Sequence, residues 1–173
     1  MVGSLHEQAR SQQEGKILRE EVLAESLGGL ELQLLTITDP EVASEAKKVV
    51  LVCGRIHPGE TCGSFMVKGL LEFLCSEEEE AKCLRRNNIF KVVPMINVDG
   101  VVLGNYRTSF SGRDLNRMFT AEETLLIPEV KAVKNLVNSL KAEFKSRLLF
   151  FLDFHGHSVR KNVFIYGPEY DIW

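Results

Sequence analysis

Val49-Val50-Leu51-Val52-Cys53 is apolar at every position. A strand that hides one face alternates apolar and polar residues, so an unbroken run predicts a strand covered on both faces of a sheet lying between helices. Leu148 to Phe154, apolar except for Asp153, predicts a second such strand, and Val163 to Tyr166 a shorter third. Leu30, Leu32 and Leu34 alternate instead with Glu31 and Gln33, which predicts a strand over Leu30 to Ile37 with one wet face, at a sheet edge. Ile89 to Ile96 predicts another strand, limited by Pro94, which has no amide to donate.

Between these runs the apolar spacing turns helical. Pro128 opens the clearest helix, where Val130, Val133, Val137, Leu140 and Phe144 recur at helical intervals with lysines between them. Thr61 to Cys75 predicts a helix apolar around so much of its surface that it should be mostly buried. Ser76-x-x-Glu79 predicts a capping box for a further helix to about Arg86, with Glu77 to Glu80 as a solvated first turn. Ile17 to Leu27 predicts a short helix stopped by Gly28-Gly29. The polar stretch Met1 to Lys16 precedes it, so residues 1–26 are expected to form a flexible segment and a short helix, with the folded domain over residues 27–173. Asp99-Gly100 predicts a turn, and the glycine- and serine-rich Gly104 to Gly112 an irregular loop. Strands alternating with helices define an α/β domain.

The 173 residues, 45% hydrophobic and 26% charged, fit one globular domain with a single core. No window is apolar for long enough to cross a bilayer, and Met1 to Lys16 lacks the apolar segment of a secretory signal, so the expected location is cytoplasmic. Cys53, Cys62, Cys75 and Cys83 form no C-x-x-C pair and are read as reduced thiols. A net charge of −3 disfavours a nucleic-acid partner, which would call for a basic face.

The chemistry gathers where the two apolar runs end. His57-Pro58-Gly59-Glu60 follows the first, and Asp153-Phe154-His155-Gly156-His157 closes the second. Residues at the carboxyl ends of buried strands face the crevice where α/β sheets bind ligands. Two histidines and one carboxylate make a metal site with a coordination position open, suited to activating water. The histidines stand 155 − 57 = 98 positions apart, so only the tertiary fold can unite them. Alone, H-x-x-E is a weak signal, and ordinary structural roles compete: Asp114 as a turn cap, Arg117 in a surface ion pair, Arg107 as a loop residue beside Tyr106, and Arg113 as a solvated charge. His157 would share a strand face with His155, so the residues by themselves do not choose between them.

Taken together, Arg55-Ile56-His57-Pro58-Gly59-Glu60-Thr61, Asn97-Val98-Asp99-Gly100, Gly104-Asn105-Tyr106-Arg107, Gly112-Arg113-Asp114-Leu115-Asn116-Arg117 and Asp153-Phe154-His155-Gly156-His157-Ser158 resemble the zinc carboxypeptidases of the carboxypeptidase A type, in their cytosolic branch. The match runs from about Leu27 to Gly167. The resemblance implies a three-layer αβα fold with a mixed, mostly parallel sheet, of which residues 27–173 would be the N-terminal part. It implies one Zn²⁺ held by His57, Glu60 and His155, with Asp114 orienting the first histidine and His157 in a structural or supporting role. It further implies that Asn116 and Arg117 grip a substrate's terminal carboxylate and that Arg107 stabilises the oxyanion. The implied activity is removal of C-terminal or side-chain-linked glutamates from proteins such as tubulin, with glutamate-rich tails as partners and a place in the cytoplasm or on microtubules.

The family's general base is a glutamate well beyond the second zinc histidine. Here only Glu169 and Asp171 follow His155, in no matching motif, so the chain is expected to be incomplete at the C-terminus and slow in turnover as written. Two alternatives accompany the main reading: a catalytically silent zinc-containing binding protein for acidic tails, and a related zinc amidohydrolase of N-acyl amino acids.

Overall fold

The computed structural model describes residues 17–122 and 124–167. In chain order they form β1 (Leu18–Glu25), β2 (Glu31–Ile37), β3 (Lys48–Gly54), α1 (Cys62–Leu74), α2 (Glu79–Asn87), β4 (Asn88–Val93), α3 (Val98–Leu103), α4 (Pro128–Phe144) and β5 (Leu148–Phe154). The strands make one sheet in the order β1-β2-β4-β3-β5. β1 with β2 and β2 with β4 run antiparallel, whereas β3 runs parallel to both β4 and β5, so the mixed α/β sheet is present with its pairings evenly divided.

The unbroken apolar run in β3 has the expected cause. Val49, Leu51 and Cys53 pack with Val130, Val133, Leu140 and Phe144 of α4, while Val50 and Val52 pack on the other face with Val67 and Leu74 of α1. Alternate residues thus feed two cores, one on each side of the sheet, giving three layers. Full burial of one such valine or leucine stabilises the fold by about 1.5–3 kcal/mol.

Several local expectations are corrected. Residues Ile17 to Leu27 form no helix: β1 pairs with β2 from Leu18↔Ile37 to Glu25↔Glu31, so sheet pairing overrides the helix-forming leucines and glutamates. Gly28-Gly29 then turns a hairpin, with Gly29 at φ 80°, the left-handed region open to glycine. Because β1 covers its outer side, β2 lies inside the sheet rather than at an edge. α1 is less buried than predicted, with Phe65 59% exposed and only Gly63, Val67 and Leu74 buried. The cap of α2 is Glu78 rather than Ser76, whose hydroxyl accepts from the Glu78 amide at 3.3 Å. Asp99-Gly100 sits in α3 instead of a turn, because the Asn97 side chain accepts from the Gly100 amide and caps a short helix.

β5 forms as predicted but is not covered as predicted. Leu149, Phe150 and Phe151 are 40–57% exposed, since among the described residues β5 has a strand neighbour on one side only. Val163 to Tyr166 form no strand; Phe164 and Tyr166 pack their rings on each other and on His157. Expectations for Met1–Lys16, Glu169 and Asp171 fall outside the described residues.

Two buried acids lie near the hairpin. Asp99 accepts from Ser26 Oγ at 2.6 Å and from the Gly28 amide at 2.8 Å. Glu129, 1% exposed in the first turn of α4, completes no hydrogen bond at either carboxylate oxygen. Burial above all, with the charge of Asp99, pushes its carboxyl pKa up; the backbone amides of Glu129 and Leu27 lie near enough to offset part of this without reaching hydrogen-bond geometry.

Candidate metal centre

β3 and β5 are parallel neighbours in register, with Cys53 opposite Asp153 and Gly54 opposite Phe154. Their carboxyl ends therefore stand side by side and deliver His57 and His155 to one place. The imidazole centroids are 4.9 Å apart. Glu60 folds back from the start of α1 between them: its Oε1 lies 2.9 Å from His57 Nδ1, and its Oε2 lies 3.0 Å from His155 Nδ1. One ligand atom from each of the three residues falls within 4.8 Å of the others. The Gly156 amide donates to Glu60 Oε2 at 2.6 Å and fixes the carboxylate further.

Both rings also carry a carboxylate at the far nitrogen. Asp114 Oδ1 lies 3.1 Å from His57 Nε2, and Asp153 Oδ2 lies 2.7 Å from His155 Nε2. An ionised carboxylate only accepts, and a neutral imidazole has a single N–H. If Nε2 holds that hydrogen, each Nδ1 presents a lone pair toward Glu60, and two acceptors face each other unless a cation lies between them. The donor set therefore fits a divalent metal, with Nδ1 of both histidines and the Glu60 carboxylate as ligands and the two aspartates fixing the tautomers. The hydrogen bond that His155 donates to Asp153 comes first, and with the nearby carboxylate charges it raises the pKa of His155 against the opposing effect of burial, as expected of a ring poised against negative charge.

Asp114 is a junction. Besides His57 it accepts from Arg107 Nε at 2.7 Å and from the Asn116 amide at 3.0 Å. Burial alone would raise its pKa, but the hydrogen bonds from Arg107, His57 and Asn116 together hold it below the usual carboxylate value. Arg107 is thus joined to the metal site through Asp114 by its Nε. Asn116 and Arg117 lie on the short 3-10 turn Leu115–Arg117 that Asp114 caps, with Asn116 half-buried and Arg117 exposed. Arg113 is half-buried beside them. His157 is apart from the cluster: its Nδ1 accepts from the amides of Val159 and Arg160, a structural role in the loop.

Asp153 gains its role only in the structure, although it lies two residues before His155 on the same side of the chain, a spacing that carries the signal. Arg55 and Asn97, which hold the backbone of the first metal turn, had no such signal.

Two histidines and a glutamate gathered at adjacent parallel strand ends, each imidazole backed by an aspartate, form a candidate metal centre of the two-histidine, one-carboxylate kind. The chain belongs to the zinc carboxypeptidase family, whose model matches residues 6–171. It is 48% identical over 149 residues to cytosolic carboxypeptidase 2 of Danio rerio, covering 84% of this chain and 20% of that protein. It is 46% identical over 148 residues to cytosolic carboxypeptidase 2 of Xenopus tropicalis, covering 84% of this chain and 15% of that protein. A metallo-carboxypeptidase from Burkholderia cenocepacia superposes with a TM-score of 0.77 at 29% identity, over 90% of this chain and 40% of that one. The chain thus spans about a fifth or less of these two relatives. No helix of the described residues is long and apolar enough to cross a membrane.

Proposed function

We propose that this chain carries the metal-holding part of a zinc metallocarboxypeptidase that removes C-terminal or side-chain-linked glutamates from protein tails, tubulin among them. The observation that carries the reading is the convergence of His57, Glu60 and His155 within 4.8 Å. Zinc bound there would supply Lewis-acid polarisation of the scissile carbonyl and a more acidic water. The protein groups do the rest. Asp114 and Asp153 hold the two imidazoles in the ligating tautomer. Asn116 and the fork of Arg117 take the substrate's terminal carboxylate. Arg107, tethered to Asp114 through Nε, offers its Nη edge to the developing oxyanion. The three arginines 107, 113 and 117 within one loop favour an acidic substrate, and the relatives' names agree with a cytoplasmic site of action.

One observation favours a second reading, a zinc-containing protein that binds acidic tails without cutting them. Among the described residues, the carboxylates at the centre, those of Glu60, Asp114 and Asp153, are all engaged by imidazoles, which leaves none to act as general base.

The test incubates the full chain with glutamate-tailed peptides, with and without a chelator, beside a His57→Ala variant. Glutamate release that the chelator and the variant both abolish is the expected result. Equal product in all arms would discard zinc catalysis. Zinc-dependent retention of the peptide with no product would establish the binding reading instead.

A further inference from the structure

Arg55 is a buried guanidinium on a metal turn, and nothing about zinc binding requires a cation there. It follows directly on β3, two residues before His57, and is 9% exposed. Its backbone lies at φ 55°, the left-handed region that a side chain with a Cβ seldom adopts. Such a conformation persists only where surrounding bonds over-determine it, and here they do. The Ile96 amide donates to Gly54 O at 3.0 Å, and the Asn97 amide to Arg55 O at 3.2 Å.

The side chain spends its donors in an unusual way. Nε and Nη2 both donate to the carbonyl of Pro58, at 3.1 and 2.7 Å, and Nη1 donates to Ser64 Oγ at 2.6 Å. A guanidinium fork usually meets two carboxylate oxygens. Here it closes on one peptide oxygen, and that peptide lies inside His57-Pro58-Gly59-Glu60. The remaining backbone of this turn is tied elsewhere, Gly59 N to Tyr106 O at 2.7 Å and Glu60 N to His57 O at 3.2 Å. Pro58 has no amide, so its carbonyl is the one backbone hydrogen-bonding group that this residue offers, and Arg55 holds it. The opposite end of the guanidinium grips Ser64 in the first turn of α1, the helix that follows Glu60.

We propose that Arg55 is a positioning residue that presets the metal turn, fixing the Pro58 peptide against the start of α1 so that His57 Nδ1 and the Glu60 carboxylate already face each other before a metal arrives. This rests on the metal centre described above and deepens it. Losing the clamp frees the loop between the two ligands, so the bound state must order it and affinity falls by about the 10- to 100-fold typical of residues that orient ligands.

The experiment measures Zn²⁺ affinity of the full chain by competition with a chromophoric chelator and records the absorption of the Co²⁺-substituted form, for native protein, Arg55→Met, Arg55→Lys, Ser64→Ala and His57→Ala. The expected order is native tightest, Arg55→Lys and Ser64→Ala intermediate, Arg55→Met at least about tenfold weaker with an altered Co²⁺ spectrum, and His57→Ala without binding. A folded Arg55→Met with native Zn²⁺ affinity and spectrum overturns the proposal while leaving the metal site intact. Zinc binding by His57→Ala equal to native overturns the metal site itself, so the two failures are distinct. If Arg55→Met does not fold, Ser64→Ala and Arg55→Lys decide: native affinity in both overturns the clamp, and a loss in both sustains it.

Discussion

Replacing Asp153 with Asn separates metal affinity from stability. The Asp153 carboxylate sits 2.7 Å from His155 Nε2, with the aspartate side chain 20% exposed, so its charge acts on the imidazole with little screening. Its other oxygen, Oδ1, is buried and has no hydrogen-bond partner among the described residues. With Asn in place, the amide either keeps its oxygen on Nε2–H and loses the charge, or turns its NH₂ toward the ring and forces the proton onto Nδ1, the atom that faces Glu60. Both weaken the ligand. The expected loss is 10- to 100-fold in Zn²⁺ affinity, or about 1.4–2.7 kcal/mol at about 1.4 kcal/mol per tenfold. For the metal-free protein two effects oppose: a charge-assisted hydrogen bond worth about 1.5–3 kcal/mol is weakened, but a half-satisfied buried charge is removed. The metal-free melting temperature should move little. The assay pairs chelator-competition titration with thermal melts of chelator-treated protein. Native affinity in the variant would refute the role given to Asp153, and a large loss of metal-free stability would refute the balance argued here.

Two further outcomes test the surroundings. Because the folded-state pKa of Glu129 is raised, the native state holds that proton more tightly than the unfolded chain; the stability it contributes is present below the ordinary glutamate value and lost as pH rises through the raised one. Glu129→Gln should therefore melt above native at neutral pH, with the gap closing as the pH falls toward the ordinary glutamate value of ~4; parallel melting curves at both pH values would contradict it. At Gly59 an added Cβ would lie 2.5 Å from Tyr106 Cδ2 and 2.7 Å from the Tyr106 carbonyl oxygen. Gly59→Ala must push the metal turn off its hydrogen bond to Tyr106, so a destabilisation of about 1–3 kcal/mol by denaturant titration and weaker zinc retention are expected together.

The convergence of His57, Glu60 and His155 was legible because the segments that carry them follow apolar runs, and parallel neighbours bring such ends together without any long-range detail. β3 was legible for the same reason: its unbroken apolarity can only be satisfied by two covered faces, and α1 and α4 supply them. β1 was not, because Leu18 to Glu25 holds residues that favour helices and its state is decided by the partner strand β2. The exposure of Phe150 and Phe151 was hidden as well, since apolarity reports what a strand prefers and not whether a neighbouring layer covers it. The use of Arg55 was not legible within its motif, because it depends on a left-handed backbone that no side-chain pattern announces.

The parallel pairing of β3 with β5 also sets an order of events during synthesis. His57 and Glu60 leave the ribosome before α4 and the second imidazole after it, and that imidazole faces them only once β5 has zipped onto β3 with Asp153 opposite Cys53. A nascent chain short of that point has a two-pronged, weak ligand and no cage. Metal bound at this site would then report that β5 has docked on β3.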